Sequence, residues 1–238
     1  MTPSTSPLRT ARDRARSAIT AEILATARTH LATDGAAGLS LRAVARDLGL
    51  VSSAVYRYFE NRDQLLTALI VEAYDSLGDV TDAALAATAA DAPRERWVAA
   101  ALAIRGWALA RPQEYALLYG SPVPGYAAPQ DTVVPGTRVS LALMQIVREA
   151  HHAGTLRRHR RTAADVALSP VVEHDLTALV GVIDPGLPTT VMFDGLVAWT
   201  QLFGLLSFEL FGQTKGVVED HAAFFEDAAR TMAARLGL

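Results

Sequence analysis

Between residues 40 and 66 the chain reads SLRAVARDLGLVSSAVYRYFENRDQLL, and Arg42, Ser52, Ser53, Ala54, Tyr56, Arg57, Tyr58 and Arg62 bring hydroxyl, phenol and guanidinium groups together there. Such groups bond phosphate oxygens and base edges, while Ala54 offers a small apolar contact, so the chemistry is recognition of a nucleic acid and not bond making. Taken singly, Tyr56 reads as a packed aromatic and Arg57 as a solvated surface charge. The elements that carry them decide between these readings.

Leu41, Val44, Ala45 and Leu48 recur at helical spacing over about two turns, and Gly49 supplies a left-handed turn residue. A second short helix is then expected from about Ser52 to Phe59. It buries Val55 and Phe59 and projects Ser53, Ala54, Tyr56 and Arg57. Val51 cannot cap this helix, so Ser52 is the expected cap. Asn61 is placed to cap the next helix, with Gln64 in the capping-box position and Leu65, Leu66 and Leu69 resuming the apolar stripe. The arrangement is a helix-turn-helix.

From about Ile19 through Tyr74 the chain resembles the TetR family of bacterial transcriptional regulators. The resemblance is carried by Gly35, Ser40, Leu41, Val44, Ala45, Gly49, Tyr56, Arg57 and Phe59. Where the family more often has Ser-Pro-Gly-like residues this chain has Val51, Ser52 and Ser53. Tyr58 stands in place of a common histidine and Arg62 in place of a common lysine, and both keep a hydrogen-bond donor near the backbone. The resemblance implies a double-stranded DNA operator as partner, contacted through Arg42, Ser52, Ser53, Ala54, Tyr56, Arg57, Tyr58 and Arg62.

Charge agrees with a two-part regulator. Residues 1–66 hold nine arginines against six acids, net +3, so the remaining 172 residues carry −6 of the overall −3. A basic head on an acidic body suits a module that neutralises phosphates with one end only. Arg9, Arg12, Arg14 and Arg16 read as a basic arm before the first helix, either a minor-groove contact or a solvated terminus. There is no cysteine, which excludes a disulfide framework, a thiolate zinc site and a cysteine nucleophile. No secretory signal and no uninterrupted apolar run of 18 residues is present, so a cytoplasmic protein without a membrane partner is expected.

Beyond residue 66 the periodicity remains helical, without strand alternation or repeats, and the fold class is all-α. The expected division is a DNA-binding domain over 1–62, with its basic arm, and a helical ligand-binding and dimerisation domain over 63–238. A long helix should run from Asn61 to about Ala87. Asp91 is expected to cap the next, with Pro93 just inside it and Trp97, Ala101, Ile104 and Ala108 along one face. A short helix begins near Pro112, and another spans about Arg138 to His152. Prolines and glycines crowd residues 120–136, a segment that either lines or covers a cavity or simply connects.

No catalytic constellation emerges, and no metal or cofactor is expected. His151 and His152, in the run HHAGTLRRHRR, lack a carboxylate at ligand spacing, and the arginines would repel a cation. That run reads as an exposed helix end or a second polyanion contact. Glu173, His174 and Asp175 are adjacent on a helix and point in different directions.

Residues 196–212, LVAWTQLFGLLSFELFG, and 115–126, YALLYGSPVPGY, are similar to the WHG-type ligand-binding domain of a branch of the same family; Trp199 and Gly204 match, and Phe203 replaces the motif histidine. A helix over about 190–212 is apolar nearly all round and must be buried on two sides, and an amphipathic one over 217–236 follows it. The resemblance implies that these two helices join a homodimer, and that a small, largely hydrophobic effector enters the body and releases a repressor from a palindromic operator. Candidate effector contacts are Trp97, Trp107, Tyr115, Tyr119, Met144, Trp199 and Phe203, each otherwise simple core. Competing readings are a helical sensing or protein-interaction module without specific DNA binding, an enzyme, and a nonspecific nucleoid-type binder.

Overall fold

Ile23, Leu24, Ala27, His30 and Leu31 repeat at helical spacing, and they form the buried face of α1 (Ala11–Gly38). The computed structural model describes residues 11–157 and 167–238, and among these it holds ten α-helices and no strand. The all-α class is therefore observed. The chain separates into two compact units, Met1–Ala73 with Gln113–Thr132 and Tyr74–Pro112 with Val133–Leu238.

In the first unit α1 is broken at Gly35, whose φ of 68° lies in the left-handed region. Then come α2 (Leu41–Asp47), the turn at Gly49 (φ 67°) and α3 (Ser52–Val55). Arg12, Arg14 and Arg16 are not an arm ahead of the first helix, for they lie within α1; Asp13 in its first turn complements the helix dipole, and Arg9 falls outside the described residues. His30 Nε2 lies 2.7 Å from Asp47 Oδ2, tying α1 to the end of α2. A long α4 (Arg62–Ala86) follows, buried along Leu65, Leu66, Leu69, Ile70, Ala73 and Leu77. Asn61 Oδ1 accepts from the Gln64 N–H at 2.9 Å as expected. The return bond differs: the Gln64 side chain accepts from the backbone N–H of Glu60, one residue earlier than a capping box requires.

The second unit packs α5 (Pro93–Ala110) against α7 (Val133–His152), α9 (Thr189–Leu210) and α10 (His221–Leu236), with α8 (Pro170–Ile183) on α9. The short α6 (Pro112–Tyr119) belongs, from Gln113 onward, to the first unit. Three helix starts depart from expectation. Ala92, not Asp91, is the N-cap of α5 and makes no side-chain bond; Pro93 compensates by presetting φ and removing one donor that needs a partner. Helix α7 begins at Val133, since Pro135 falls in its first turn, where a missing N–H costs nothing. Helix α10 begins later than expected, after turns at Gly212 and Gly216, because Asp220 Oδ1 caps the Ala223 N–H at 2.9 Å.

Polar ties fix the helices laterally. Arg105 of α5 forms a two-pronged pair with Glu209 of α9 at 2.9 and 2.6 Å and lies over the Phe225 ring of α10. Arg96 of α5 pairs with Glu149 of α7. Arg138 of α7 reaches Asp79 and Asp82 of α4 at 2.8 and 2.6 Å. Asp184, at the end of α8, receives His152 at 2.7 Å, Arg148 at 3.0 Å and the Gly186 N–H at 3.0 Å. The His152 bond first, then Arg148 and the Gly186 N–H, hold the Asp184 carboxyl far below the usual carboxylate range.

A carboxyl depressed in the folded state adds stability above its unfolded pKa of about 3.9, and that contribution disappears as pH falls through the lower folded value. Asp184→Asn should therefore lower the urea midpoint at pH 7. The gap from the parent protein should close on acidification below about pH 4, and a gap that stays constant with pH would remove the ionised carboxylate from this account.

Candidate nucleic-acid interface and internal cavity

Helix α3 has only four residues, too few to stand alone, and it is held from beneath. Val55 is fully buried and Phe59, just beyond the helix, nearly so. With these as anchors, Ser53, Tyr56 and Arg57 are exposed, and Ser52, Ala54 and Tyr58 are half-buried. Arg42 is exposed on α2. The N-cap is Val51 with no side-chain bond, and Ser52 is the first helical residue, so the expected serine cap is not formed. Val51 itself is 72% exposed, an apolar side chain held in solvent beside the hydroxyls of Ser52 and Ser53.

Two of the singled-out residues are tied back into the unit. The Arg62 guanidinium donates to the Ala36 carbonyl at 2.6 Å, fastening the start of α4 to the end of α1. Arg16 lies 5.2 Å from the Tyr58 ring centre, a cation–π contact between α1 and the segment after α3. Neither tie was legible in the sequence, because each joins residues far apart in the chain.

The Pro- and Gly-rich segment does line a concavity within this unit. Tyr126, Ala127, Pro129 and Asp131 face Asn61, Gln64, Thr67 and Val71 of α4 across an open groove of about 740 Å3, and the Tyr126 hydroxyl lies 2.9 Å from Thr67 Oγ1.

In the second unit, Trp97 of α5, Ser140, Leu143, Met144 and Val147 of α7, and Gly195, Leu196 and Trp199 of α9 enclose a cavity of about 20 Å3, room for one water. Three of the seven effector candidates, Trp97, Met144 and Trp199, meet there. The other four lie elsewhere. Trp107 Nε1 donates to Ser76 at 3.0 Å, Tyr115 and Tyr119 stack on each other within the first unit, and Phe203 sits against Trp199 one turn along α9. The sequence reading missed the small and aliphatic wall, Ser140, Leu143, Val147, Gly195 and Leu196. Nothing in local periodicity separates such residues from ordinary core. Among the described residues no group of three or more histidines and carboxylates is placed to hold a metal ion.

Helix α9 buries Val191, Met192, Gly195, Ala198, Leu202, Phe203 and Leu206 and exposes Val197, Gln201, Gly204 and Phe208. By length and composition it could cross a membrane, but its inner face is core of this unit.

The family described as "Bacterial regulatory proteins, tetR family" matches residues 23–69, and "Tetracyclin repressor-like, C-terminal domain" matches residues 97–232. The HTH-type transcriptional regulator Rv1816 of Mycobacterium tuberculosis is 41% identical over 224 residues, covering 93% of this chain and 94% of that protein. The regulator Mb1846 of Mycobacterium bovis has the same identity and coverage. The crystal structure of the regulatory protein SCO4313 is 33% identical, with a TM-score of 0.76 over 94% of this chain and 98% of that one. A tetR-family regulatory protein from Rhodococcus RHA1, at 15% identity and a TM-score of 0.60 over 92% of this chain and 96% of its own, shares the fold. With a helix-turn-helix in its first unit and a helical second unit, the chain belongs to the TetR family of bacterial transcriptional regulators, DNA-binding proteins and not enzymes.

Proposed function

We propose that the protein is a homodimeric cytoplasmic repressor, released from a palindromic operator by a small, largely apolar effector bound in the second unit. The observation that carries this reading is the double role of α7. One stretch, Ser140 to Val147, walls the cavity, and Arg138 of the same helix grips Asp79 and Asp82 of α4. Helix α4 begins directly after the segment that follows α3, so a displacement of α7 by an effector reaches the reading head along one continuous helix. Affinity for the operator then falls by the effector's differential preference for the two states.

DNA contact is assigned to Ser53, Tyr56 and Arg57 on the exposed face, with Arg42, Ser52, Ala54 and Tyr58 beside them. Arg62 keeps donors beyond the one given to Ala36 and can offer them to a phosphate. A reading helix of one turn covers few bases, and a second copy one DNA turn away supplies the rest. The dimer surface is the exposed row Val197, Gln201, Gly204 and Phe208, whose spacing of four, three and four is that of a helix-pairing seam. Exposed Phe224 extends it onto α10. Residues 63–238 thus form the sensing and pairing part and 1–62 the reading part, in a chain that uses no cofactor.

Fluorescence anisotropy on a duplex selected by the protein from a random library tests the assignment. Tyr56→Ala with Arg57→Ala should weaken binding ten- to hundredfold and flatten its salt dependence, with thermal stability unchanged. Equal affinity for selected and scrambled duplexes would return the protein to a nonspecific binder.

Phe208→Glu should convert the dimer to a monomer in sedimentation and abolish operator binding at concentrations where the parent is saturated. A variant that remains dimeric would place the interface elsewhere.

Arg138→Ala should leave operator affinity of the effector-free protein within about twofold while weakening effector-driven release about fivefold, the scale of a surface ion-pair network. Unaltered release would show that coupling bypasses this tie.

A further inference from the structure

Trp97 is 1% exposed, and its indole Nε1 is buried with no hydrogen-bond partner. Buried donors are almost always satisfied, so an orphaned N–H on a side chain that walls a cavity marks a place where an acceptor belongs. No wall group accepts from it. The walls are aliphatic and aromatic except for Ser140, whose hydroxyl donates to the Thr137 carbonyl at 2.9 Å and whose oxygen, still able to accept, is not within bonding distance of the indole. A single water would fit in about 20 Å3, but a buried water needs two to four polar partners and the side chains of the wall offer it at most the Trp97 N–H and the Ser140 oxygen, the bare minimum.

Met144 shows how more room is made. A side-chain carbon at Gly195 would lie 2.4 Å from the Met144 methyl, so the thioether arm occupies the space that the missing side chain leaves. Methionine is unbranched and adaptable, and one rotamer change transfers that volume to the cavity. Trp199, Leu196 and Ser140 are only half-buried and form the approach, whereas Leu143, Val147 and Gly195 are buried behind them.

We propose that this cavity takes a small uncharged ligand with an apolar body and one hydrogen-bond acceptor oxygen, a ketone, ester or ether, which displaces the Met144 side chain and accepts from Trp97 Nε1. The absence of any charged side chain in the wall excludes carboxylates and amines, whose burial unpaired is prohibitive. This deepens the effector reading given above and rests on it for its consequence, although not for the binding event.

The probes are cyclohexanone and its isostere methylenecyclohexane, which differ only in the acceptor. Both are titrated onto full-length Met144→Ala protein, in which the space is already open, and followed by the nitrogen–proton spectrum of the three tryptophan indoles. Trp97→Phe in the same background identifies the Trp97 signal by its loss. Cyclohexanone should bind roughly tenfold or more tightly than methylenecyclohexane and move the Trp97 indole proton downfield, a discrimination that Trp97→Phe erases. Equal binding of the two probes, no binding of either, or a preference that survives Trp97→Phe would each overturn the proposal. Operator affinity is measured separately with cyclohexanone present. Binding with the Trp97 shift but no loss of operator affinity would uphold the site and sink the effector reading, so the two failures are distinguishable.

Discussion

The reading head hangs on the burial of Val55 and Phe59 beneath a helix that has one turn and no side-chain cap. Such a turn does not pay its own nucleation cost in water. Two buried apolar side chains, each worth about 1.5 to 3 kcal/mol, are enough to hold it, and they fix the rotation of the turn about its axis. That rotation puts Ser53, Tyr56 and Arg57 in solvent. The supports are themselves supported: Gly49 reverses the chain, His30 holds Asp47 at the end of α2, and Arg62 clamps the next helix to Ala36. The exposed groups proposed to meet DNA are thus positioned chiefly by Val55 and Phe59, which lie beneath them.

Helix α9 shows the opposite situation, an excess of apolar surface. Its inner face completes the second unit, and its outer row leaves Val197 and Phe208 46% and 56% exposed. Two such residues flanking Gly204, beside which a methyl group would meet nothing within 4 Å, make a surface that a second helix can approach closely. The hydrophobic excess that resembles a membrane span by composition is core on one side and, on the other, the exposed row proposed above to pair with a second copy.

Periodicity made the local architecture legible. The α2 stripe, the Gly49 turn and the Asn61 cap depend on residues within a few positions of one another, and they stand as read. What escaped the sequence were choices between competing caps and contacts across the fold. Asp91 and Ala92 are both available to start α5, and the structure uses the alanine because Pro93 had already removed a donor. Val217 and Val218 fit an amphipathic pattern, yet Asp220 with its bond to Ala223 sets the start of α10. Arg12, Arg14 and Arg16 look like a disordered arm by charge, but with Asp13 and Ala15 between them they form the first turns of α1. The cavity wall was half visible: its aromatics stand out in a sequence, whereas Gly195 and Ser140 acquire meaning only opposite Met144 and Trp97.

The distribution of polar ties along α7 determines where a disturbance in the cavity must go. Near its C-terminal end Arg148 and His152 converge on Asp184, a carboxylate whose side chain is 10% exposed and whose other oxygen accepts the Gly186 N–H. Near its start, Arg138 meets Asp79 and Asp82, which are 71% and 49% exposed. Exposed pairs are worth about 0 to 1 kcal/mol because solvent competes for both partners, while a nearly buried, multiply bonded carboxylate resists loss of any one donor. The cavity wall, Ser140 to Val147, lies between these two anchors. In the proposed mechanism, a ligand that pushes Met144 aside would load a helix with one firm end and one yielding end. The yielding end is the one tied to α4, so on that proposal the response to the ligand would begin at the Arg138 pairs with Asp79 and Asp82.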